Sequence, residues 1–189
     1  MALNNTILGN YIFQSDARNS ENLYGEKDVK GIATSKAFIE TKANLHGVSL
    51  TNYKVVAPRQ FAYVPDTSRR GDKISLGFND SPDSYLVSSI SIVFGIKPDK
   101  EKELLPEYLF LYFCRPEFDR YSRFHSWGSA RETFSWDEMC KIKISLPPIE
   151  VQQKYVAVFK ALLANNNGSG DIRSICPVLI RGAIEEGGQ

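Results

Sequence analysis

The sequence predicts an α+β chain: a β-rich globule carrying helices of its own, followed by a C-terminal antiparallel helical hairpin or coiled-coil region. Three observations predict it. Between Val48 and Ile96, short apolar runs recur, cut by Pro and by Asn, Asp, Ser and Gly clusters, as in strands joined by turns. From Leu105-Pro106-Glu107-Tyr108-Leu109 onward the apolar residues fall at helical spacing, with a proline at the first helical position. After Pro148 a second helical stripe follows, made of Ile149, Val151, Tyr155, Val156, Val158, Phe159 and Leu162. The expected boundary lies between residues 1–147 and residues 148–189. The second part is interrupted at 165–170 by Asn-Asn-Asn-Gly-Ser-Gly, a run poor in helix formers.

Taken in order, residues 7–13 form a short opening element, and the polar residues 14–28 form a loop. Residues 30–39 hold one strand or a turn. Val48, Leu50, Tyr53, Val55 and Val56 nearly alternate with polar residues, as in a half-buried strand, with room for a turn at 51–52. Phe61–Val64 is a strand stopped by Pro65-Asp66, and Ile74–Phe78 resumes one. Asn79–Asp83 is a turn by composition, and Tyr85–Ile96 is the longest β-rich run. Residues 98–103 form a charged connector. Leu109, Phe110, Tyr112, Phe113 and Phe118 give the next helix its apolar face, with a bend at Pro116. Asp137–Cys140 adds a helical turn, and Ile142–Leu146 a strand. Asp171–Glu186 closes the chain as a helix with Ile172, Ile175, Val178, Leu179 and Ile184 on one side.

The 189 residues suffice for one domain and an appendage, and 42% hydrophobic residues can build a core. A net charge of +1, from 23 basic and 22 acidic residues, neither announces nor excludes a nucleic-acid binder, because a neutral chain can gather its cations on one face. No run approaches the roughly 18 apolar residues of a spanning helix. Met1–Thr6 lacks the basic and apolar blocks of a signal peptide. Cys114, Cys140 and Cys176 are odd in number and hold no CxxC pair. We therefore expect buried thiols, no disulfide framework, no zinc site and a reducing cytoplasm.

Catalytic signatures are missing. A methyltransferase acting on adenine needs a glycine-rich cofactor turn and an Asn/Asp-Pro-Pro-aromatic motif, and the sequence has neither; its one Pro-Pro, Pro147-Pro148, follows Leu146. None of the three Pro-Asp pairs, at 65–66, 82–83 and 98–99, is followed by the Asp/Glu-x-Lys triplet of a metal-dependent nuclease. Without a GxxxxGK[ST] loop, ATP-driven translocation is excluded. His46 and His125 read as ordinary polar residues, with His125 placed to touch a phosphate.

Two stretches suit DNA. The first holds Thr67, Ser68, Arg69, Arg70 and Lys73 between two strands. Arginine forks pair with guanine in the major groove, and hydroxyls suit phosphate oxygens. The same stretch also reads as a solvated loop whose Asp and Arg pair with one another. The second runs from Arg115 to Arg131. There Arg115, Arg120, Arg123 and Arg131 interleave with Tyr121, Phe124, His125 and Trp127, beside Ser126 and Ser129. Its other reading puts Tyr121, Phe124 and Trp127 in the core, with the arginines at the rim and Glu132 pairing with Arg131.

The combination resembles half of a specificity subunit of type I restriction-modification systems. Leu105-Pro106-Glu107-Tyr108-Leu109 is similar to that family's Leu-Pro-x-Tyr-Leu helix, and Gly128-Ser129 to its Gly-Ser/Thr loop. Leu146-Pro147-Pro148-Ile149-Glu150-Val151-Gln152-Gln153 is similar to its Pro-Leu-Pro junction and Glu-x-Gln-Gln helix. The likeness covers roughly residues 7–186. It implies a target recognition domain over 1–147 and conserved spacer helices over 148–189. It implies a non-catalytic subunit that reads one half of a bipartite DNA target. It also implies docking to the type I methyltransferase subunit, which alone would hold S-adenosylmethionine, and joining by a motor-nuclease subunit. Neither a cofactor nor a metal is expected on this chain. On this reading Thr67, Ser68, Arg69, Arg70, Lys73, Arg123, Ser126, Trp127, Ser129 and Arg131 touch DNA. Gln152, Tyr155, Val158, Phe159, Leu162, Ile175 and Leu179 form the dimer or subunit interface.

The sequence departs from the family in having one recognition domain and a short, interrupted spacer helix. It reads as a naturally halved subunit or a trimmed fragment. Homodimerisation through the helices would restore a symmetric pair of readers on an interrupted palindrome. A docking or decoy subunit that binds the methyltransferase but reads no DNA is the competing reading, and a small enzyme without known motifs is a third.

Overall fold

Turn-forming residues keep every strand short. The computed structural model describes residues 4–68, 73–128, 131–165 and 175–188. In chain order the elements are β1 (Asn4–Ile7), β2 (Ile12–Ser15), β3 (Lys30–Ile32), β4 (Phe38–Glu40), β5 (Lys54–Val56), β6 (Phe61–Tyr63), β7 (Leu76–Phe78), β8 (Tyr85–Val87), β9 (Ile92–Ile96), α1 (Pro106–Phe113), α2 (Pro116–Phe124), α3 (Trp136–Cys140), β10 (Lys143–Leu146), α4 (Ile149–Asn165) and α5 (Cys176–Gly187). This is the α+β class expected, with an antiparallel pair of helices at the C-terminal end.

The chain forms two compact units, and they do not divide at residue 147. Unit 1 is Met1–Ile12, Ile96–Tyr121 and Asp137–Gln189; unit 2 is Phe13–Gly95 and Ser122–Trp136. The C-terminal helices are therefore part of a unit that also contains the first strand and α1, rather than a separate appendage.

Unit 2 is organised around β6. In the four-stranded sheet β2-β9-β6-β7 it pairs antiparallel with β7 on one side and β9 on the other. Phe61, Ala62 and Tyr63 are all fully buried, because a central strand has no solvent face. The Phe61 ring lies 4.8 Å from Phe78 and 4.9 Å from Phe94, its partners in register, so a row of aromatics crosses the sheet. Two small sheets, β3-β4 and β5-β8, add further antiparallel pairs.

Three expectations are corrected here. Residues 48–51 are not strand: the Tyr53 N–H donates to the Leu50 carbonyl in a turn, and only Lys54–Val56 is extended. Leu50 is buried while Val48 is not, so the near-alternation came from a loop pressing one residue inward. The run from Tyr85 to Ile96 is two strands. A turn closed by Ser91 N–H on the Ser88 carbonyl separates them and leaves Ile90 exposed, sending β8 to β5 and β9 to β6. The bend expected at Pro116 is a full break between α1 and α2, where the Arg115 guanidinium sits 3.9 Å from the Tyr112 ring.

In unit 1, β1 pairs antiparallel with β10, from Asn4↔Leu146 to Ile7↔Lys143. Helices α1, α4 and α5 pack together beside them. α5 turns Cys176, Leu179, Ile180, Ala183 and Gly187 inward. A Cβ on Gly187 would stand 2.6 Å from the Pro147 Cβ, so only glycine lets α5 end against the Pro147-Pro148 junction. The Lys154 ammonium meets the Glu186 carboxylate at 2.7 Å, tying the start of α4 to the end of α5. Cys114, Cys140 and Cys176 are free thiols; burial, with Asp137 adding to it, raises the Cys140 thiol above its ordinary pKa.

Gln152 is fully buried at the centre of this unit. Its Oε1 accepts from the Leu105 N–H at 3.0 Å, at the residue that caps α1. Its Nε2 donates to the Glu103 carbonyl at 2.8 Å and to the Pro147 carbonyl at 2.9 Å. Tyr108 is the contrast. Its hydroxyl is buried without a hydrogen-bond partner among the described residues, and burial pushes its phenol far above the ordinary value.

Gln152→Leu leaves the Leu105 N–H and the Glu103 and Pro147 carbonyls without this partner, the last of them in a buried hydrogen bond, so it should lower unfolding stability by about 2 kcal/mol or more, read by denaturant titration. Gln152→Glu should be less harmful at pH 4 than at pH 8. Its carboxyl must stay protonated to donate to either carbonyl, so its folded-state pKa is raised and stability is lost as pH rises through it. Tyr108→Phe should leave stability unchanged or increase it, since the phenol donor it removes is unsatisfied.

Candidate nucleic-acid interface

The two stretches singled out for DNA lie far apart in sequence, and unit 2 brings them together. The N–H and hydroxyl of Thr67 both donate to the Glu132 carbonyl, at 2.9 and 3.1 Å. Phe134 N–H donates to the Pro65 carbonyl at 2.9 Å, and Asp66 and Trp127 each form an isolated bridge with Thr133. A small three-stranded crossing of loops results, with residues 65–68 and 126–128 on either side of 131–134. Lys73 belongs to the same loop as residues 65–68, two residues before Ser75, whose carbonyl accepts from the Val64 N–H.

Gly128 makes the turn possible. Its φ is +140°, and a Cβ there would lie 2.1 Å from the Arg131 carbonyl oxygen. The turn is closed by two backbone hydrogen bonds between Trp127 and Thr133, at 3.1 and 2.9 Å. Backbone geometry, rather than side-chain packing, therefore fixes where Trp127 stands.

The candidate residues divide into three groups. Thr67 and Ser126 are buried, and their hydroxyls are committed: Thr67 to Glu132, and Ser126 to the Ser122 carbonyl at 2.6 Å. Both hydroxyls are taken up by backbone carbonyls. Ser68, Lys73, Arg123, Trp127 and Arg131 are exposed. Ser68 bonds Asp66 at 2.6 Å, and Arg123 pairs with Glu132. Lys73 and Arg131 have no ion pair among the described residues. Arg69, Arg70 and Ser129 lie outside the described residues. Glu132 thus pairs with Arg123 and not with Arg131.

Of the other cations of the second stretch, Arg115 packs on Tyr112 and Arg120 pairs with Glu117 at 3.3 Å. The reading that places its aromatics in the core fails for two of three. Tyr121 is half-buried, but Phe124 is 74% and Trp127 64% exposed. Phe124 was missed as a candidate, although a signal was present. Phe118 and Ser122, one turn apart on α2, are buried, and Phe124 lies about 240° around the helix from Phe118.

The expected helix interface is also redistributed. Gln152 is fully buried inside unit 1, and Phe159 and Leu179 are buried within the same unit. Tyr155 and Ile175 are half-buried, while Val158 and Leu162 remain 41% and 40% exposed. Leu163 and Val178, at 47% and 70% exposed, extend the apolar surface beyond what was expected. Among the described residues no helix is long and apolar enough to cross a membrane.

Residues 71–171 match the family described as the type I restriction modification DNA specificity domain. The chain belongs to this family. No curated protein sequence matches it. Among solved structures, the specificity domain is similar to the HsdS subunit from Thermoanaerobacter tengcongensis, with 19% identity and a TM-score of 0.59 over 86% of this chain and 42% of that one. It is also similar to a chain from a structure giving the basis of complex assembly and conformational transition in the type I R-M system, with 12% identity and a TM-score of 0.51 over 100% of this chain and 46% of that one. At these identities the likeness establishes the fold, and the specificity domain spans less than half of either chain.

Gly128→Ala should force the 127–133 turn of the specificity domain to rebuild. A drop of several degrees in melting temperature and a shifted tryptophan emission are the expected outcome, whereas Arg131→Ala should leave both unchanged.

Proposed function

We propose that this chain reads one half of a bipartite DNA target within a type I restriction-modification system and performs no chemistry itself. The observation that carries the reading is the loop crossing of unit 2. It collects exposed Lys73, Arg123, Arg131, Ser68 and Trp127 from two distant stretches onto hydrogen-bonded backbone. Rigidly held arginine and hydroxyl groups suit base edges and phosphates respectively. On this reading methylation and cleavage belong to partner methyltransferase and motor-nuclease subunits, S-adenosylmethionine is bound on the methyltransferase alone, and the protein works in the cytoplasm.

The docking half of the proposal rests on α4 and α5. Val158 and Leu162, one turn apart, together with Leu163 and Val178, leave apolar surface uncovered on helices that each bury one face. Such a surface suits a second copy or a methyltransferase helix. The same observation supports the second reading, in which the chain docks the methyltransferase but reads no DNA.

Selection from random duplexes, with the chain mixed with a type I methyltransferase subunit at physiological salt, tests both. An enriched interrupted palindrome is expected for a dimeric reader, and a single short motif for one domain acting alone. A stable protein complex with no enrichment would establish the docking reading instead. Lys73→Ala and Arg131→Ala should each reduce the salt dependence of binding by about one counterion if they meet phosphates, or relax preference at one base pair if they meet bases. Val158→Lys with Leu162→Glu should abolish self-association or methyltransferase docking without lowering melting temperature. Survival of both would remove the helices from the interface.

A further inference from the structure

We propose that Phe124 and Trp127 form an aromatic wedge that stacks on bases of the DNA duplex and opens a base step, so that part of the specificity comes from how easily that step unstacks. The inference rests on the DNA-reading function proposed above. Both rings are largely exposed, at 74% and 64%, in a unit that buries Phe61, Tyr63, Phe94 and Phe134 completely. Leaving two large aromatics in water gives up burial that the unit achieves elsewhere.

Neither ring is on a loose segment. Phe124 is the last residue of α2, with its ring 5.1 Å edge-on to His125. Trp127 is held by the paired hydrogen bonds to Thr133 and by the +140° φ of Gly128. Rings carried on a backbone ordered in advance cost little backbone entropy on stacking. Their surroundings favour DNA over an apolar protein partner. Arg123 adjoins Phe124 in sequence, and Arg131 stands on the same loop crossing as Trp127. Cations beside an apolar wedge fit a partner with a charged backbone around stackable faces. The Arg123–Glu132 pair also leaves Arg123 a partner to exchange for a phosphate.

The experiment uses the full chain with its methyltransferase and the duplex enriched by selection, carrying 2-aminopurine at each position in turn. Binding should raise 2-aminopurine fluorescence severalfold at one or two adjacent positions. Trp127→Ala should abolish the rise and weaken binding about tenfold or more, with melting temperature unchanged. Trp127→Phe should retain most of both, and Phe124→Ala should reduce the rise. An enriched duplex whose 2-aminopurine signal stays flat at every position would overturn the wedge while leaving the DNA-reading function standing. Failure to enrich any duplex would overturn that function, and the wedge with it. If Trp127→Ala binds DNA normally but no longer retains the methyltransferase, the aromatic pair is a protein contact and the proposal is wrong.

Discussion

A buried amide must satisfy three hydrogen-bonding positions at once, and in unit 1 its partners come from two segments, residues 103–105 and Pro147, that meet only in the folded state. Gln152 reaches from the first turn of α4 to the chain entering α1, through Glu103 and Leu105, and to the carbonyl of Pro147 at the end of β10. Leu105 opens α1 without a side-chain cap of its own, and Pro106 has no N–H to offer. The amide from α4 takes the place of a local cap. Since β10 also holds β1, the same side chain sets how the junction leaves the sheet and how α1 begins. Apolar packing alone would tolerate small slips of α4 along α1; three directional bonds do not.

The elements that the sequence showed well were those with local causes. Pro106 and Pro148 opened helices, Pro65 and Asn79–Asp83 ended strands, and the stripe from Val151 to Phe159 placed a helix whose buried residues are Gln152, Val156 and Phe159. What stayed hidden depended on partners far along the chain. Nothing near Ser88 distinguishes a break between strands of two different sheets from a bulge in one long strand. Nothing near Val48 shows that a loop would hide Leu50. The packing of the helices was hidden for the same reason: α4 and α5 pack with α1, and α5 with β10, which composition near residue 147 does not show.

The site was legible as ingredients and not as geometry. Both basic stretches were visible, but not the bonds from Thr67 to Glu132 and from Phe134 to Pro65 and the Asp66–Thr133 bridge, which join the first stretch to residues just beyond the second. Hydroxyls were the least reliable candidates. Ser and Thr satisfy nearby carbonyls as readily as phosphates, and Thr67 and Ser126 do so here. The aromatics were ambiguous because an apolar ring is equally at home in a core or on a recognition surface. Exposure places Phe124 and Trp127 outside the core, and exposure depends on the whole unit.

The pairing of Asn4 with Leu146 has a consequence for synthesis. A chain leaves the ribosome at roughly 5–20 residues per second, so β1 emerges on the order of ten seconds before β10 exists. All of unit 2, from Phe13 to Trp136, is translated in that interval. The sheet built on β6 can close while β1 on the nascent chain is still unpaired. β10, made after the whole of unit 2, captures a strand made before it.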